Sequence, residues 1–153
     1  MRIHLLCVGR RMPGWVDTGY QEYAKRMPAE CALRLVQIDP GHRGKAASPQ
    51  VARRLEGECM LAAVPKGALV VALDQRGCSW STEQLADRLS GWMRGGRDPA
   101  LLVGGPEGLA DECRQRADAL WSLSALTFPL PLVRIILAEQ LYRAWSLLSG
   151  HPY

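Results

Sequence analysis

The sequence predicts an α/β fold, a mostly parallel sheet with helices on both faces, built as one domain over residues 1–153. Three observations carry that reading. Short apolar runs alternate with stretches of helical spacing from end to end, the pattern of strands joined by crossover helices. The run Ala68 to Leu73 is apolar at every position, as in a strand covered on both faces of a parallel sheet. A length of 153 residues, 48% hydrophobic and 22% charged, suits a single globular core.

Ile3 to Val8 is the first strand. Val16, Tyr20, Tyr23 and Met27 then recur at helical spacing and predict a helix over Val16 to Met27. Leu33 to Ile38 reads as a strand, and the polar, basic stretch Asp39 to Ala47 as a loop. Ser48 suits an N-cap and Pro49 a first helical position, so a helix runs from about Gln50 to Val64 and stops before Pro65 and Gly67. After the Ala68 strand, Asp74-Gln75-Arg76-Gly77 is a turn. Ser81 followed by Gln84 is a capping-box pattern, opening a helix that reaches about Arg94. Ala100 to Val103 is the next strand, Ala110 to Ala117 a helix, and Leu120 to Leu126 the last strand-like segment.

Pro129 and Pro131 precede the longest helix, Leu132 to Leu148, which is apolar nearly all round. Such a helix is buried on more than one side. In so small a domain its second face is expected against another copy of the chain, which predicts a homodimer. Glu139 and Arg143 stand four apart on it and, taken alone, form a surface pair.

Two segments carry the candidate chemistry. Leu101-Leu102-Val103-Gly104-Gly105-Pro106-Glu107-Gly108-Leu109 is a strand running into a loop where glycines let a ligand lie against main chain. By itself such a loop is more often a tight strand-to-helix turn than a site. The second segment, Trp121 to Pro129, is nearly free of charge. It reads either as a buried strand end or, paired with the glycine loop, as a site built from backbone. Ser124 and Thr127 suit local backbone hydrogen bonds as well as a ligand. No G-x-G-x-x-G is present, so an ordinary dinucleotide site is not supported.

Five scattered cysteines without a C-x-x-C argue against a disulfide framework or a metal site and for a reducing compartment. Cys59 and Cys113 fall in helical patterns and are expected to be buried. No apolar run reaches the roughly 18–20 residues that span a bilayer, and none is expected to engage a membrane. Met1 to Gly9 is too short for the core of a signal peptide and reads as the first strand of a cytoplasmic protein. The net charge of +4 fits either an arginine-rich composition or a polyanionic partner. The basic set Arg10, Arg11, His42 to Lys45, Arg53 and Arg54 is correspondingly a solvated face or a contact to that polyanion, and Arg134 a phosphate ligand or a helix-start residue.

The motifs together resemble the ribosomal RNA large-subunit methyltransferase H family of the knotted SPOUT methyltransferase superfamily. The likeness runs from Val8-Gly9-Arg10-Arg11-Met12-Pro13-Gly14-Trp15-Val16 through Gly41-His42-Arg43-Gly44-Lys45, Gly104-Gly105-Pro106-Glu107-Gly108 and Trp121-Ser122-Leu123-Ser124-Ala125-Leu126-Thr127. It ends with Pro131-Leu132-Val133-Arg134, Ala138 to Ser146 and His151-Pro152-Tyr153, so it covers essentially the whole chain. The glycine motif is shared widely among knotted methyltransferases. Its pairing with Trp-Ser-Leu-Ser-Ala-Leu-Thr and His-Pro-Tyr is more specific.

The resemblance implies a C-terminal trefoil knot, which pattern alone would not suggest because true knots are rare, and a dimer with the cofactor pocket beside its interface. The implied cofactor is S-adenosylmethionine, surrounded by Leu73, Gly104, Leu123, Ser124, Ala125, Leu126, Thr127 and Phe128. The implied substrate is a pseudouridine of 23S ribosomal RNA within the 70S ribosome, methylated at N3 by direct displacement, with no metal. Placing the reactants in line supplies much of such a rate enhancement, and the N3 proton must leave. His151 and Tyr153 are the candidate catalytic residues. The family pattern continues past His-Pro-Tyr with a histidine and a basic residue, whereas this sequence ends at Tyr153. Two other classes stay open: a knotted RNA-binding dimer without methyl transfer, and a flavodoxin-like nucleotide binder. The latter would favour a Ser/Thr-rich loop where Gly9-Arg10-Arg11-Met12-Pro13 stands.

Overall fold

The computed structural model describes residues 1–41 and 48–153. Its strands are β1 (Arg2–Val8), β2 (Ala32–Ile38), β3 (Leu69–Ser79), β4 (Pro99–Val103) and β5 (Ala119–Ser122), and its helices α1 (Gly14–Ala24), α2 (Pro49–Ala63), α3 (Thr82–Gly95), α4 (Asp111–Arg116) and α5 (Leu130–Ser149). The sheet order is β2-β1-β4-β3-β5, and every pairing is parallel. The expected mostly parallel sheet is thus wholly so.

Side chains alternate across the sheet as strand geometry requires. Ile3, Leu5, Cys7, Val71, Leu101 and Val103 join one buried cluster, which takes in residues of α1, α3 and α5. Leu6, Val8, Val70, Ala72, Ala100 and Leu102 face the other side, with Met60 of α2 and Cys113 of α4. Helices therefore cover both faces, and the central strands read as unbroken apolar runs because neither face is wet.

The caps follow from the sequence. The Ser48 hydroxyl accepts the Val51 N–H at 3.0 Å at the start of α2. Ser81 Oγ accepts the Gln84 N–H at 3.1 Å while Gln84 Oε1 accepts the Ser81 N–H at 2.8 Å, completing the box before α3. Pro131 lies in the first turn of α5, where a missing N–H costs little.

Several boundaries differ from expectation. α1 starts at Gly14 and ends at Ala24, so Met27 is buried from the following turn instead of from the helix. β5 stops at Ser122, and the rest of the expected strand, through Leu126, is loop. Cys59 is exposed on α2, whereas Cys113 is buried as expected. The largest change is in β3. Asp74-Gln75-Arg76-Gly77 does not end the strand, which resumes and runs to Ser79. Leu73 and Cys78 both register against Trp121, so the four intervening residues are extruded as a bulge. A Cβ on Gly77 would lie 2.5 Å from the Leu120 carbonyl carbon, which is why glycine closes the bulge.

α5 packs on α1 and α3. It buries Leu137, Leu141 and Ala144 and leaves Leu132, Leu147 and Leu148 exposed. Among the described residues no helix is long and apolar enough to cross a membrane.

Candidate active site

The carboxyl ends of β3, β4 and β5 meet the first turn of α5, the edge of an open parallel sheet at which ligands characteristically bind. Three connections build the cleft there: the β3 bulge, the glycine loop after β4, and the loop after β5. In the glycine loop the Gly108 N–H donates to the Gly105 carbonyl at 2.9 Å across Pro106 and Glu107. The turn folds back so closely that a Cβ on Gly104 would sit 2.5 Å from the Gly108 carbonyl carbon.

After β5, Ser124 Oγ accepts the Leu126 N–H at 2.9 Å, so the local hydroxyl bond read from sequence is made. Thr127 Oγ1 accepts instead from Gln75 Nε2 of the bulge at 2.8 Å, tying the two loops across the cleft. Leu126 is 70% exposed, a large apolar side chain with little protein to cover it.

The cleft has two compartments. A smaller, inner recess of about 170 Å³ is lined by Leu73, Gly104, Leu123, Ser124, Leu126, Thr127 and Phe128, together with Val103, Leu130 and Val133. An outer compartment of about 770 Å³ adds Arg76, Pro106, Arg114, Pro129 and Pro131. Seven of the eight cofactor residues expected from the sequence thus line one recess, and Ala125 lies in the same loop without lining it.

Sequence reasoning missed Asp74, Gln75, Arg76 and Arg114. The available signal was Gly77, which marked a turn but equally marks a bulge. Asp74 is the electrostatic centre of the wall. Burial raises its pKa, but the Arg76 N–H at 2.8 Å, the Arg76 guanidinium and Arg114 outweigh that and hold the carboxyl below the usual range. It is therefore ionised at neutral pH.

These residues fit a cationic, adenine-bearing cofactor. Among the described residues the Leu123–Phe128 backbone makes two bonds, the Leu126 N–H to Ser124 Oγ and the Ser124 carbonyl from the Ser122 hydroxyl at 3.4 Å, leaving its other amide and carbonyl groups to read a base edge. Leu123 and Leu126 offer apolar cover for its ring, and the Asp74 carboxylate supplies the opposite charge.

His151 and Tyr153 stand elsewhere in the single chain. The cleft touches the first turn of α5, whereas the tail leaves the far end of this 20-residue helix and folds back along it only as far as Glu139, about 14 Å along the axis from the first turn. The Tyr153 hydroxyl donates to Glu139 Oε2 at 2.6 Å, Arg143 lies over the Tyr153 ring at 4.2 Å, and His151 packs on Trp145. The Glu139–Arg143 pair is accordingly part of a three-residue latch and not an isolated surface pair.

Arg134 is 1% exposed and donates to the Gly9 carbonyl at 2.7 Å and Gln37 Oε1 at 3.1 Å. It pins α5 to the ends of β1 and β2 and is out of reach of RNA. Of the basic set, Arg10 pairs with Asp39, Arg11 and Arg54 are exposed, and His42 to Lys45 lie outside the described residues.

A family model described as predicted SPOUT methyltransferase matches residues 1–153. The chain is 63% identical over 153 residues to a ribosomal RNA large subunit methyltransferase H of Thioalkalivibrio sulfidiphilus, covering 100% of this chain and 98% of the relative. It is 59% identical to the protein of the same name from Methylococcus capsulatus, covering 100% and 99%. Among solved structures, the Legionella pneumophila protein Lpg2936, a methyltransferase with bound S-adenosylmethionine, superposes with a TM-score of 0.52 at 12% identity, over 94% of this chain and 66% of that one.

Proposed function

The chain belongs to the SPOUT methyltransferase family, in its ribosomal RNA large subunit methyltransferase H branch, and on that premise we propose that it methylates N3 of a pseudouridine in 23S ribosomal RNA on the assembled 70S ribosome, with S-adenosylmethionine as donor. The observation that carries this reading is the convergence of Leu73, Gly104, Leu123, Ser124, Leu126, Thr127 and Phe128 on one recess. The names of the relatives at 63% and 59% identity support the RNA substrate. A ribosomal substrate sets the work in the cytoplasm, and one domain suffices for it.

S-adenosylmethionine, when bound, supplies an activated methyl group. The protein's part is positioning. Backbone groups of the Leu123–Phe128 loop hold the adenine, the Gly104–Gly108 turn leaves room for main-chain approach, and Asp74 balances cationic charge. Gln75 and Thr127 fix the mouth at a set width through their 2.8 Å bond. Val103, Leu130 and Val133 give the recess an apolar wall.

The active unit is a homodimer. The exposed apolar side chains of α5 are the surface it uses, and a second copy brings His151 and Tyr153 to the cleft, where His151 takes the N3 proton and Tyr153 orients the base. The C-terminal trefoil knot belongs to the same reading, through the family to which the chain belongs.

Labelled methyl transfer from S-adenosylmethionine to unmethylated 70S ribosomes, with separated subunits alongside, tests the reading. Incorporation into the 23S RNA of the 70S particle, lost on Gly104→Val, is the expected result. Label in neither the particle nor its subunits, by a protein that binds the cofactor, would sink it.

A further inference from the structure

We propose that the outer compartment of the cleft receives RNA phosphate, and that Arg76, carried out of the sheet by the β3 bulge, is the side chain that binds it. This rests on the reading of the chain as an RNA methyltransferase and adds to it a substrate contact.

The bulge is the starting point. Because Leu73 and Cys78 share one partner in β5, residues 74–77 have no place in the ladder and turn towards the cleft. Asp74, Gln75 and Arg76 all line the outer compartment. A bulge re-aims side chains in this way at the edge of many sites. It is also held firmly, because Gly77 is pressed against the Leu120 backbone and Gln75 is bonded to Thr127.

The cations of the cleft are segregated. Among the described residues no arginine or lysine lines the inner recess, whereas Arg76 and Arg114 both line the outer compartment. They are not equivalent. Arg114 donates to the Leu109 carbonyl at 2.8 Å, pairs with Asp111, and lies 3.5 Å from Asp74, so its donors are committed. Arg76 is anchored through its backbone, whose N–H donates to Asp74 Oδ1 at 2.8 Å. Its guanidinium approaches that oxygen only at 3.5 Å, and its side chain is 73% exposed. The outer nitrogens of Arg76 are therefore held at the mouth with donors to spare, the arrangement that receives a phosphate by charge-assisted bonds.

A phosphate on RNA suits this position better than the carboxylate of the cofactor. The Arg76 side chain is 73% exposed, so a polymer can reach it from solvent, and Pro106, Pro129 and Pro131 of the same compartment bring no charge, which leaves Arg76 and the already committed Arg114 as its cations among the described residues.

The test compares wild type with Arg76→Ala, Arg76→Glu and Arg76→Lys. A uridine homopolymer RNA is the probe, with binding followed by anisotropy over a salt series, and cofactor affinity is measured calorimetrically on the same proteins. Arg76→Ala should make the plot of log Kd against log salt shallower by about 0.7, the value of one single-stranded phosphate contact. Arg76→Glu should bind more weakly still, Arg76→Lys should keep the slope, and cofactor affinity should not move. An unchanged slope in Arg76→Ala overturns the proposal, as does a fall in cofactor affinity with RNA binding intact, or no RNA binding by wild type. Methyl transfer to 70S ribosomes is scored separately. The expected slope change without any transfer would reject the methylation reading and leave the phosphate site standing.

Discussion

Tyr153 donates its hydroxyl to Glu139 across 2.6 Å, and the bond ties the end of the chain to the middle of its last helix. Burial and that bond push the Tyr153 hydroxyl up to about 12, while Tyr153, Arg143 and Gln140 hold the Glu139 carboxyl below its usual range against the opposing effect of burial. A tyrosine so held remains a neutral donor throughout the physiological range. Its raised pKa contributes stability that is complete below the ordinary value near ~10 and is lost as pH rises through about 12. Ultraviolet difference titration of wild type against Tyr153→Phe should show this late ionisation, and Glu139→Gln should bring it back towards the ordinary value. A Tyr153 titrating normally in wild type would mean the latch does not form.

Gly77→Ala should destabilise the fold by about 1–3 kcal/mol, the usual cost of forcing atoms into a filled space. The added methyl meets Leu120 main chain, which cannot rotate away. Urea unfolding measures the loss, and a midpoint equal to wild type would show that the bulge yields.

Gly104→Ala places its methyl 2.5 Å from the Gly108 carbonyl carbon and so opens the turn beside the recess. Wild type with S-adenosylmethionine at 100 times Kd should gain about 2.7 kcal/mol by mass action, and Gly104→Ala should lose most of that gain. A full thermal shift in the variant would remove the glycine turn from the cofactor site.

Gln37→Leu removes an acceptor from the guanidinium of Arg134, buried at the junction of β1, β2 and α5. An unsatisfied buried donor costs about 1–3 kcal/mol, and chemical denaturation should register a loss of that size. A neutral result would mean that Gly9 alone suffices to hold Arg134.

Asp98 joins the amino ends of the strands. It accepts from His4 Nε2 and from the Arg2 N–H, each at 3.1 Å, and these bonds lower its pKa against a smaller opposing effect of burial. The resulting stability is complete above the unfolded-state value near ~3.9 and disappears as pH falls through the lower folded-state value. Asp98→Asn should therefore be less stable than wild type at pH 7 and should show a flatter acid limb in pH-dependent unfolding. Parallel acid limbs would assign the acid sensitivity to other carboxylates.

Much of this fold could be read from local pattern. Ser48, Ser81 and Gln84 announced their helices because capping is settled within four residues. The apolar runs of β1, β3 and β4 announced a buried sheet. Strand order could not be read, because it depends on pairings between residues as distant as Val70 and Ala100. The bulge was hidden for a related reason. Asp74 to Gly77 has the composition of a turn, and only the return of Cys78 to Trp121 shows that the strand continues. The cofactor recess was legible through its glycine turn and uncharged loop. Its charged rim was not, since Arg114 belongs to α4 and meets Asp74 only in the folded chain.

The position of β4 bears on how the molecule is made. β1 can pair with β2 once residue 38 has been synthesised, but β3 has no neighbour until β4, at residues 99–103, is available. The central strand is thus a late arrival that must enter a slot between two earlier ones. Non-local pairing of this kind slows folding and leaves strand edges unprotected in the meantime. A nascent chain that ended before residue 99 would carry β3 with neither of its partners, so chaperone dependence and refolding rate, more than final stability, are where this topology should be felt.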